Sequence, residues 1–297
     1  MNQATTTYQL IDGKVVAAQV KKSLKARIAA LAERGIIPGL AAVLIGDDPA
    51  SQTYVDSKAK ACAKLGLYSE VITRSADISQ EELIGIVKKL NANPKIHGIL
   101  VQSPLPGHLD ELGVTLTIAP EKDVDGFHPH NVGLMLIGRP GPLPCTPFGI
   151  IKLLEYYGID PEGKEVVIVG RSNIVGKPIG AMLLQKAPMA NATVTFAHSR
   201  TRNLPQVTRR ADILIAAIGR ANFIKPDMIK DGVVIVDVGI NRVEDPSKEK
   251  GYRNVGDVGF EACAPKSSYI TPVPGGVGKM TIAMLMFNTV TAAEKAR

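Results

Sequence analysis

The fold is decided by residues 164–180, which read KEVVIVGRSNIVGKPIG. The β-branched run at 166–169 predicts a short buried strand of a parallel sheet. Gly170 ends this strand, and Gly176 and Gly180 follow where a helix is expected to begin. A strand, a glycine turn and a helix N-terminus can bind a phosphate, because free backbone N–H groups and the positive end of the helix dipole meet there. The same pattern also fits an ordinary turn between a strand and a helix, so both interpretations stay open.

Length and composition indicate a globular protein with two domains. The chain has 297 residues and is 45% hydrophobic, which is enough for two cores. We find no apolar run that could cross a membrane and no signal-peptide pattern, so we expect a cytoplasmic protein without membrane contact. The net charge of +7 favours anionic ligands. The chain has no tryptophan and no stripe of basic and aromatic residues, which argues against nucleic acid as a partner.

Cysteine and histidine positions predict neither a disulfide framework nor a metal site. The cysteines Cys62, Cys145 and Cys263 lie far apart, and we expect each to be a small apolar side chain in the core or a loop. Among the histidines only His128 and His130 are close together, and the proline between them disfavours a shared ion. We therefore predict no metal.

Strand and helix patterns alternate along both halves of the chain. The first half predicts strands at 40–45, 68–73 and 97–101, and helices at 14–34, 50–65 and 80–90. The second half predicts strands at 166–169, 193–197, 212–217 and 233–238, and helices from 146 to about 158, from about 203, and at 280–295. Thr146 is the expected N-cap of the first of these helices. The alternation predicts right-handed βαβ units, and the Pro- and Gly-dense segment between them at 119–144 predicts a loop-rich domain boundary.

Polar residues near the predicted strand ends of the first half are candidates for chemistry. Ligands bind outside the carboxyl ends of parallel strands, and Gln102 directly follows one of them. Tyr54 and Lys58 lie four residues apart near the start of a helix, where the helix dipole disfavours a lysine. Each residue also has an ordinary explanation: Lys58 as a solvated surface lysine, Gln102 as a structural amide and Asp125 as a turn-former.

Five motifs occur in order along the chain. They are Tyr54-Val55-x-x-Lys58; the block from Glu82 to Pro106 that ends in VQSPLP; Lys122-Asp123-Val124-Asp125-Gly126; Gly170-Arg171-Ser172-x-Ile174-Val175-Gly176-x-Pro178; and Pro274-Gly275-Gly276-Val277-Gly278-x-Met280-Thr281. Together they resemble the bifunctional methylenetetrahydrofolate dehydrogenase/methenyltetrahydrofolate cyclohydrolase family, from Ile11 to Glu294. Two positions depart from its pattern: Ser103 stands where leucine is usual, and Lys279 where proline is usual.

The resemblance, together with the boundary signal, predicts an α/β fold of two domains. Residues 1–145, completed by the C-terminal helix 279–297, are expected to form an N-terminal three-layer α/β catalytic domain that binds folate. Residues 146–278 are expected to form a Rossmann-like parallel-sheet domain that binds NADP, with an active-site cleft between the two domains. The resemblance also implies a homodimer.

The activity that the resemblance implies is that of an oxidoreductase and a hydrolase in one-carbon metabolism and purine biosynthesis. The substrate is a tetrahydrofolate derivative. 5,10-Methylenetetrahydrofolate passes a hydride to NADP and becomes the methenyl cation. Water then adds to this cation, and ring opening gives 10-formyltetrahydrofolate.

The resemblance also implies roles for individual residues. Lys58, when neutral, can take a proton from the attacking water, and Gln102 can orient its amine without adding charge. Asp125 can accept N–H donors of the pterin ring, and Tyr54 offers a flat face to the aromatic part of folate. These four residues form the expected catalytic set. The expected substrate-binding set is Tyr54, Lys58, Val101, Gln102, Ser103, Asp125, Pro274, Gly275, Gly276, Val277 and Gly278.

The expected cofactor-binding set is Gly170, Arg171, Ser172, Ser199, Arg200 and Ile240. The predicted strand 193–197 is followed by His198-Ser199-Arg200-Thr201, where an NAD enzyme usually carries an acidic residue for the ribose. The positive charges of Arg171 and Arg200 suit the additional phosphate of NADP, so we expect NADP over NAD. Ile240 resembles the family position whose backbone approaches the nicotinamide side.

Three other functions are compatible with parts of the sequence. A monofunctional dehydrogenase would need most of the same motifs, but the presence of both Lys58 and Gln102 favours the bifunctional enzyme. A non-enzymatic dinucleotide-sensing module would explain residues 164–180 and leave Lys58, Gln102 and Asp125 without a purpose. Nucleic-acid binding through net charge alone would give salt-dependent retention on DNA or RNA.

Overall fold

The computed structural model describes residues 8–249 and 251–296. Contacts divide the chain into two compact units. The first unit contains the described residues up to Ala17 and Thr146–Thr281, and the second contains Ala18–Cys145 and the described residues from Ile282 onward. Each unit is built around a parallel sheet of its own.

The helices and strands alternate through most of the chain. The helices are α1 Gly13–Glu33, α2 Pro49–Leu65, α3 Gln80–Ala92, α4 Glu111–Thr117, α5 Pro129–Leu136, α6 Cys145–Tyr156, α7 Gly176–Leu183, α8 Leu204–Thr208, α9 Phe260–Cys263 and α10 Gly278–Lys295. The strands are β1 Gln9–Leu10, β2 Gly39–Ile45, β3 Tyr68–Arg74, β4 Gly98–Val101, β5 Glu165–Val169, β6 Thr193–Ala197, β7 Ile213–Ala216, β8 Val233–Asp237, β9 Asn241–Glu244, β10 Tyr252–Val255 and β11 Ser267–Ile270.

The second unit contains a three-stranded parallel sheet in the order β3-β2-β4. All seven residues of the central strand β2 are buried, which explains its uninterrupted apolar sequence. Helix α2 follows β2 and has clear ends: Asp48 caps its first turn through the N–H of Ser51, and Gly66 ends it in a left-handed conformation. These two caps fix the register of α2 and hence the positions of Tyr54 and Lys58.

The first unit contains a six-stranded parallel sheet in the order β1-β11-β8-β7-β5-β6. After β5 the chain adds β6 on one side and then returns to place β7 on the other side. The carboxyl end of β5 is therefore a topological switch point, which is the position where open α/β sheets bind ligands. The short hairpin β9–β10 is antiparallel and separate from this sheet.

The predicted helices and strands form within two residues of their expected ends. One predicted N-cap is wrong, and the structure contains several elements that were not predicted. Thr146 is not an N-cap, because α6 already begins at Cys145. The segment 119–144, predicted to be loop-rich, contains α5, whose N-cap His128 accepts the N–H of His130. The sequence patterns also missed α4, α9, β1, β11 and the hairpin β9–β10. These strands are only two to four residues long, which is too short for a periodic pattern.

The grouping of the chain termini by contacts differs from the domain limits given above. The described part of residues 1–17 belongs to the first unit, because β1 pairs in parallel with β11, with Gln9 opposite Tyr269 and Leu10 opposite Ile270. Helix α10 contributes to the second unit from Ile282 onward. No helix within the described part of the chain is both long and apolar enough to span a membrane.

We expect opposite effects on stability from adding a methyl group at two glycines of the second unit. At Gly39, the first residue of β2, an added Cβ would collide with the backbone carbonyl of Lys95. Gly39→Ala should therefore lower the free energy of unfolding by about 1–3 kcal/mol. At Gly85, inside α3, an added Cβ meets no atom within 4 Å. Gly85→Ala should raise that free energy by about 0.5–1 kcal/mol through helix propensity.

Urea denaturation of the two variants and the wild type measures both effects. Gly85→Ala is the matched control, because it adds the same methyl group without a collision. A Gly39→Ala midpoint equal to that of the wild type would contradict the tight contact between β2 and the backbone at Lys95.

Candidate active site and cofactor site

Lys58 is buried, with 8% of its surface exposed, and its Nζ donates a hydrogen bond of 2.9 Å to Oε1 of Gln102. The interpretation of Lys58 as a solvated surface lysine is therefore wrong. Gln102 follows β4, and its Nε2 donates to the backbone carbonyl of Ser103 at 2.7 Å. Because the amide nitrogen is engaged there, the amide oxygen faces the lysine. Gln102 thus links the end of β4 to α2.

The carboxyl group of Asp125 forms the third part of this cluster. Burial raises the pKa of Asp125 to about 6, although the charge of Lys58 opposes the shift. Burial lowers the pKa of Lys58, and the charge of Asp125 opposes that shift in turn. The amine and the carboxyl group are therefore close enough to influence each other. Burial disfavours the charged form of both groups, so Lys58 becomes neutral more readily than a surface lysine.

The loop that carries Asp125 is held by its neighbour Asp123. The Asp123 carboxylate accepts the backbone N–H groups of Gly126 at 3.0 Å and His128 at 2.8 Å, and Nδ2 of Asn131 at 2.9 Å. Gly126 adopts a φ of +75°, which favours glycine. Asp123, and not Asp125, is therefore the turn-former of this loop, which leaves the Asp125 carboxyl group available to a ligand.

Two residues that the sequence patterns did not single out for the site support this loop. Asn288 of α10 donates from Nδ2 to the backbone carbonyls of Val124 at 2.8 Å and Leu143 at 2.9 Å. Cys145 donates from Sγ to the Val124 carbonyl at 3.3 Å and lies 3.9 Å from Oδ1 of Asp125. Burial holds the pKa of the Cys145 thiol well above its usual range, so the thiol keeps its proton. An asparagine directly after the apolar run 282–287 of α10 is the sequence signal that could have identified Asn288.

The remaining candidates of the second unit lie next to the cluster in sequence and differ in exposure. Tyr54 lies one helical turn before Lys58 and is 49% exposed. Val101 is the half-buried last residue of β4. Ser103 is exposed, and its hydroxyl forms a short hydrogen bond to the carboxylate of Glu111.

The candidate loop Pro274, Gly275, Gly276, Val277 and Gly278 belongs to the first unit. Its Gly275 adopts a φ of +123°, and the Gly275 carbonyl accepts the N–H of Gly13 at 3.0 Å. A Cβ placed on Gly278 would lie 3.3 Å from Cδ1 of Ile240. The structure therefore brings Ile240, a cofactor-binding candidate, against one end of this candidate substrate-binding loop.

The glycine turn after β5 is packed against the end of β7. Gly170 has a φ of +134°, and a Cβ there would collide with the backbone carbonyl of Ala217. The hydroxyl of Ser172 accepts the N–H groups of Val175 at 3.2 Å and Gly176 at 3.3 Å. The first N–H groups of α7 are therefore capped by the protein, which corrects the expectation that they are free. Ser172 replaces the usual second glycine and acts as this cap.

Other donors of the turn remain available. Among the described residues, the backbone N–H groups of Arg171, Ser172 and Asn173 donate to no protein acceptor. Neither Arg171 nor Arg200 forms an ion pair within the described part of the chain. Three backbone donors and two exposed guanidinium groups form a donor set that suits the phosphates of a dinucleotide.

The loop after β6 lies beside the glycine turn. Val169 pairs with Ala197, so the chain leaves β5 and β6 at neighbouring positions of the sheet edge. Ser199 and Arg200 are both exposed on this loop. No acidic residue occupies positions 198–201, which suits a cofactor with an additional phosphate on its ribose. Within residues 8–249 and 251–296 no group of histidine, cysteine or acidic residues is arranged to hold a metal ion.

Two family models match the chain. The model described as "Tetrahydrofolate dehydrogenase/cyclohydrolase, catalytic domain" matches residues 11–125, and the one described as "Tetrahydrofolate dehydrogenase/cyclohydrolase, NAD(P)-binding domain" matches residues 144–297. A relative named bifunctional protein FolD, from Prosthecochloris aestuarii, is 56% identical over 290 residues, which are 97% of this chain and 98% of the relative.

Solved structures of enzymes with the same family name are similar to this chain. The bifunctional enzyme FolD of Campylobacter jejuni has a TM-score of 0.91 and 51% identity, covering 97% of this chain and 99% of that one. The N5,N10-methylenetetrahydrofolate dehydrogenase-cyclohydrolase of Trypanosoma brucei, solved with NADP cofactor and inhibitor, has a TM-score of 0.91 and 39% identity, covering 97% and 98%.

Fold and site together define a two-domain α/β enzyme with an NAD(P)-binding domain. The lysine–amide pair lies within the other, catalytic domain. The chain belongs to the tetrahydrofolate dehydrogenase/cyclohydrolase family. The predicted family and the two-domain α/β fold are thereby confirmed.

The raised pKa of Asp125 predicts a specific pH dependence of stability. The folded-state pKa of about 6 lies above the ordinary value of 3.8, so the folded protein holds this proton more tightly than the unfolded chain does. The resulting stabilisation is complete below about pH 4 and is lost as the pH rises through about 6. Asp125→Asn removes the titration. The free energy of unfolding of the variant minus that of the wild type should therefore increase between about pH 4 and about pH 7.

Chemical denaturation of both proteins at the two pH values measures this difference. Glu121→Gln, at an exposed position near the same loop, serves as the control, because it replaces a carboxyl group that is not buried. A difference between Asp125→Asn and the wild type that is constant over this range would contradict the burial of an Asp125 carboxyl group.

Proposed function

We propose that this protein oxidises 5,10-methylenetetrahydrofolate to 5,10-methenyltetrahydrofolate with NADP and then hydrolyses the product to 10-formyltetrahydrofolate. The observation that carries the proposal is the buried amine of Lys58, bonded to the neutral amide of Gln102 beside Asp125. Membership of the family supports both reactions, and the Trypanosoma brucei relative was solved with NADP.

Hydrolysis requires a base and no acid at its first step. The methenyl carbon is already cationic, so water can attack it directly, but the attacking water must lose a proton. Lys58 receives this proton at Nζ, because burial lowers its pKa and favours the neutral amine before the reaction. A neutral amine has one lone pair and two N–H bonds. One of these N–H bonds is held by Oε1 of Gln102, which restricts the direction of the lone pair.

The choice of an amide partner for Lys58 is chemically important. A carboxylate bonded directly to the amine would favour the ammonium form and abolish its basicity near neutral pH. Gln102 orients the amine without this effect. The same pair has no clear purpose in hydride transfer alone, and it therefore favours the bifunctional enzyme over a monofunctional dehydrogenase.

Asp125 recognises the pterin ring of the substrate. Its carboxyl group is freed from turn formation by Asp123 and becomes an ionised acceptor above its pKa of about 6. The N–H donors of the ring then satisfy this acceptor. Tyr54 offers its exposed ring to the aromatic part of folate, while the other binding contributions come from Val101, Ser103 and the loop 274–278.

Oxidation depends on the first unit. When bound, NADP supplies the hydride acceptor. The backbone donors of Arg171 and Ser172, in the turn begun by Gly170, would hold its phosphates, and the Arg171, Ser199 and Arg200 side chains would hold the additional phosphate on the ribose. Ile240 would approach the nicotinamide side of the cofactor.

Further parts of the proposal rest on the family alone. We propose that residues 1–145 with helix 279–297 bind folate and that residues 146–278 bind NADP. We also propose a cytoplasmic homodimer whose product is used in purine biosynthesis. Sedimentation velocity tests the oligomeric state, and a monomer at micromolar concentration would contradict the dimer.

Lys58→Ala should reduce methenyltetrahydrofolate hydrolysis by about 10²–10⁴-fold, because the general base is lost. The measurement follows the disappearance of methenyl absorbance, corrected for the spontaneous reaction. Lys60→Ala, at an exposed lysine of the same helix, is the matched control and should hydrolyse at the wild-type rate. A folded Lys58→Ala enzyme with near-wild-type hydrolysis would remove Lys58 from the mechanism.

The wild type should use NADP in preference to NAD, and Arg171→Ala should reduce this preference. A charge-assisted contact of about 1.5–3 kcal/mol corresponds to a roughly ten- to hundred-fold change in the ratio of the two kcat/KM values. Arg139→Ala, at an exposed arginine of the second unit, is the control and should leave the ratio unchanged. Equal use of both cofactors by the wild type would refute the assigned phosphate site.

A further inference from the structure

Two buried carboxylates of the first unit lie outside the residues discussed so far. Asp237 is the last residue of β8 and is 3% exposed, while Asp257 lies two residues beyond β10 and is fully buried. No lysine or arginine pairs with either carboxylate in the described part of the chain. Buried carboxylates without a cation must be stabilised by hydrogen bonds, and in this structure N–H donors supply them.

Asp257 accepts hydrogen bonds from three consecutive backbone N–H groups. Its Oδ2 accepts from Ile218 at 2.6 Å and Gly219 at 2.9 Å, and its Oδ1 accepts from Arg220 at 2.9 Å. Oδ1 also accepts from Nδ2 of Asn241 at 2.9 Å. One side chain therefore fixes the loop that follows β7 and the residue that begins β9.

Asp237 holds the segment that carries Asp257. Its Oδ1 accepts the N–H groups of Gly239 and Asp257, and its Oδ2 accepts that of Val258, each at 2.9 Å. Burial raises the pKa of Asp237 to about 7, while the backbone donors oppose the shift. The bond to Gly239 also fixes the backbone immediately before Ile240, a residue of the proposed cofactor site.

Two glycines make room for these carboxylates. A Cβ on Gly239 would collide with the Asp257 carboxylate, and a Cβ on Gly256 would collide with the Asp237 carboxylate. The two aspartates and the two glycines thus form one interlocked group, in which each carboxylate occupies the space that a side chain at the facing glycine would need.

This group lies at the ligand-binding edge of the sheet. Ala216 of β7 pairs with Asp237 of β8, so the loops after both strands leave the sheet side by side. Ala217, one residue before the loop that Asp257 holds, contacts Gly170 of the glycine turn. Ligands of open parallel sheets bind at this edge.

We propose that Asp257 is a positioning residue for the dinucleotide: its carboxylate fixes residues 218–220 and Asn241 in the conformation that receives the cofactor. Asp237 keeps Asp257 in place. The inference rests on the proposed binding of NADP at this edge.

Asp257→Asn is the decisive variant, because neither orientation of an amide fits the site. Each carboxylate oxygen faces two N–H donors. Whichever position the Nδ2 group takes, it meets two donors and accepts from none. The loop must then move, although the side chain keeps nearly the same volume.

The first experiment is amide hydrogen exchange of the protein without ligand. In the wild type, the N–H groups of Ile218, Gly219 and Arg220 should exchange slowly despite lying in a loop, because each is bonded to a buried carboxylate. Asp257→Asn should accelerate these amides selectively. Because the wild type alone gives the first result, the experiment remains decisive even for a variant that fails to fold. Exchange of the wild-type amides at the rate of open loops would overturn the proposal.

The second experiment measures binding of NADPH by its fluorescence. Asp257→Asn should raise the Kd about ten-fold, equivalent to roughly 1.4 kcal/mol, and should raise the KM for NADP similarly. Hydrolysis of methenyltetrahydrofolate in the absence of cofactor should stay at the wild-type rate, which a general loss of structure would not allow. Asn241→Ala removes one donor and should give a smaller increase in Kd.

Asp212→Asn is the matched control. Asp212 accepts the N–H of Glu165 at 2.8 Å and Nζ of Lys230 at 2.6 Å, but it lies at the amino ends of β5 and β7. Its variant should leave the Kd for NADPH unchanged. An unchanged Kd in folded Asp257→Asn would overturn the positioning role, whereas a wild type that binds no NADPH would instead contradict the proposed function.

Discussion

The site depends on a buried amine whose hydrogen-bond partner is neutral. Lys58 of α2 is buried and bonded to the amide of Gln102, while the nearby carboxyl group of Asp125 only partly offsets the cost of burial. An exposed amine would stay protonated at neutral pH. An amine bonded directly to a carboxylate would stay protonated as well. The pKa of Lys58 depends on where three elements place its neighbours. These elements are α2, with its caps at Asp48 and Gly66, the end of β4, and the loop fixed by Asp123.

Both units use the same physical rule to place polar groups. Strands that are buried on both faces cannot carry functional side chains along their length, so these side chains appear immediately after the strands end. Gln102 follows β4 in one unit, and Arg171 and Ser172 follow the end of β5 in the other. The loops are then held by carboxylates that accept backbone N–H groups, as Asp123 and Asp257 both do. This arrangement gives a loop a defined shape without an apolar core of its own.

Sequence patterns were sufficient to predict the long helices and the buried strands. Helices such as α2 and α10 and buried strands such as β2 and β5 show their period or their apolar run directly. Strand β1 has two residues and exists only through its pairing with β11, so no local pattern could predict it. The spacing of Tyr54 and Lys58 placed them on one helix, but only packing could show that Lys58 is buried while Tyr54 is half exposed. Asp125 and Asp123 lie two residues apart, and the sequence could not decide which forms the turn.

The interlocked group of Asp237, Gly239, Gly256 and Asp257 has a consequence for the evolution of this domain. A larger residue at either glycine would displace a carboxylate, and loss of either carboxylate would leave several backbone donors without an acceptor. We therefore expect single substitutions at any of these positions to be destabilising, even though the proposed reaction assigns none of them a chemical step. Such a group can change only if several substitutions arise together. The four positions should thus drift more slowly than many residues that contact the ligands themselves.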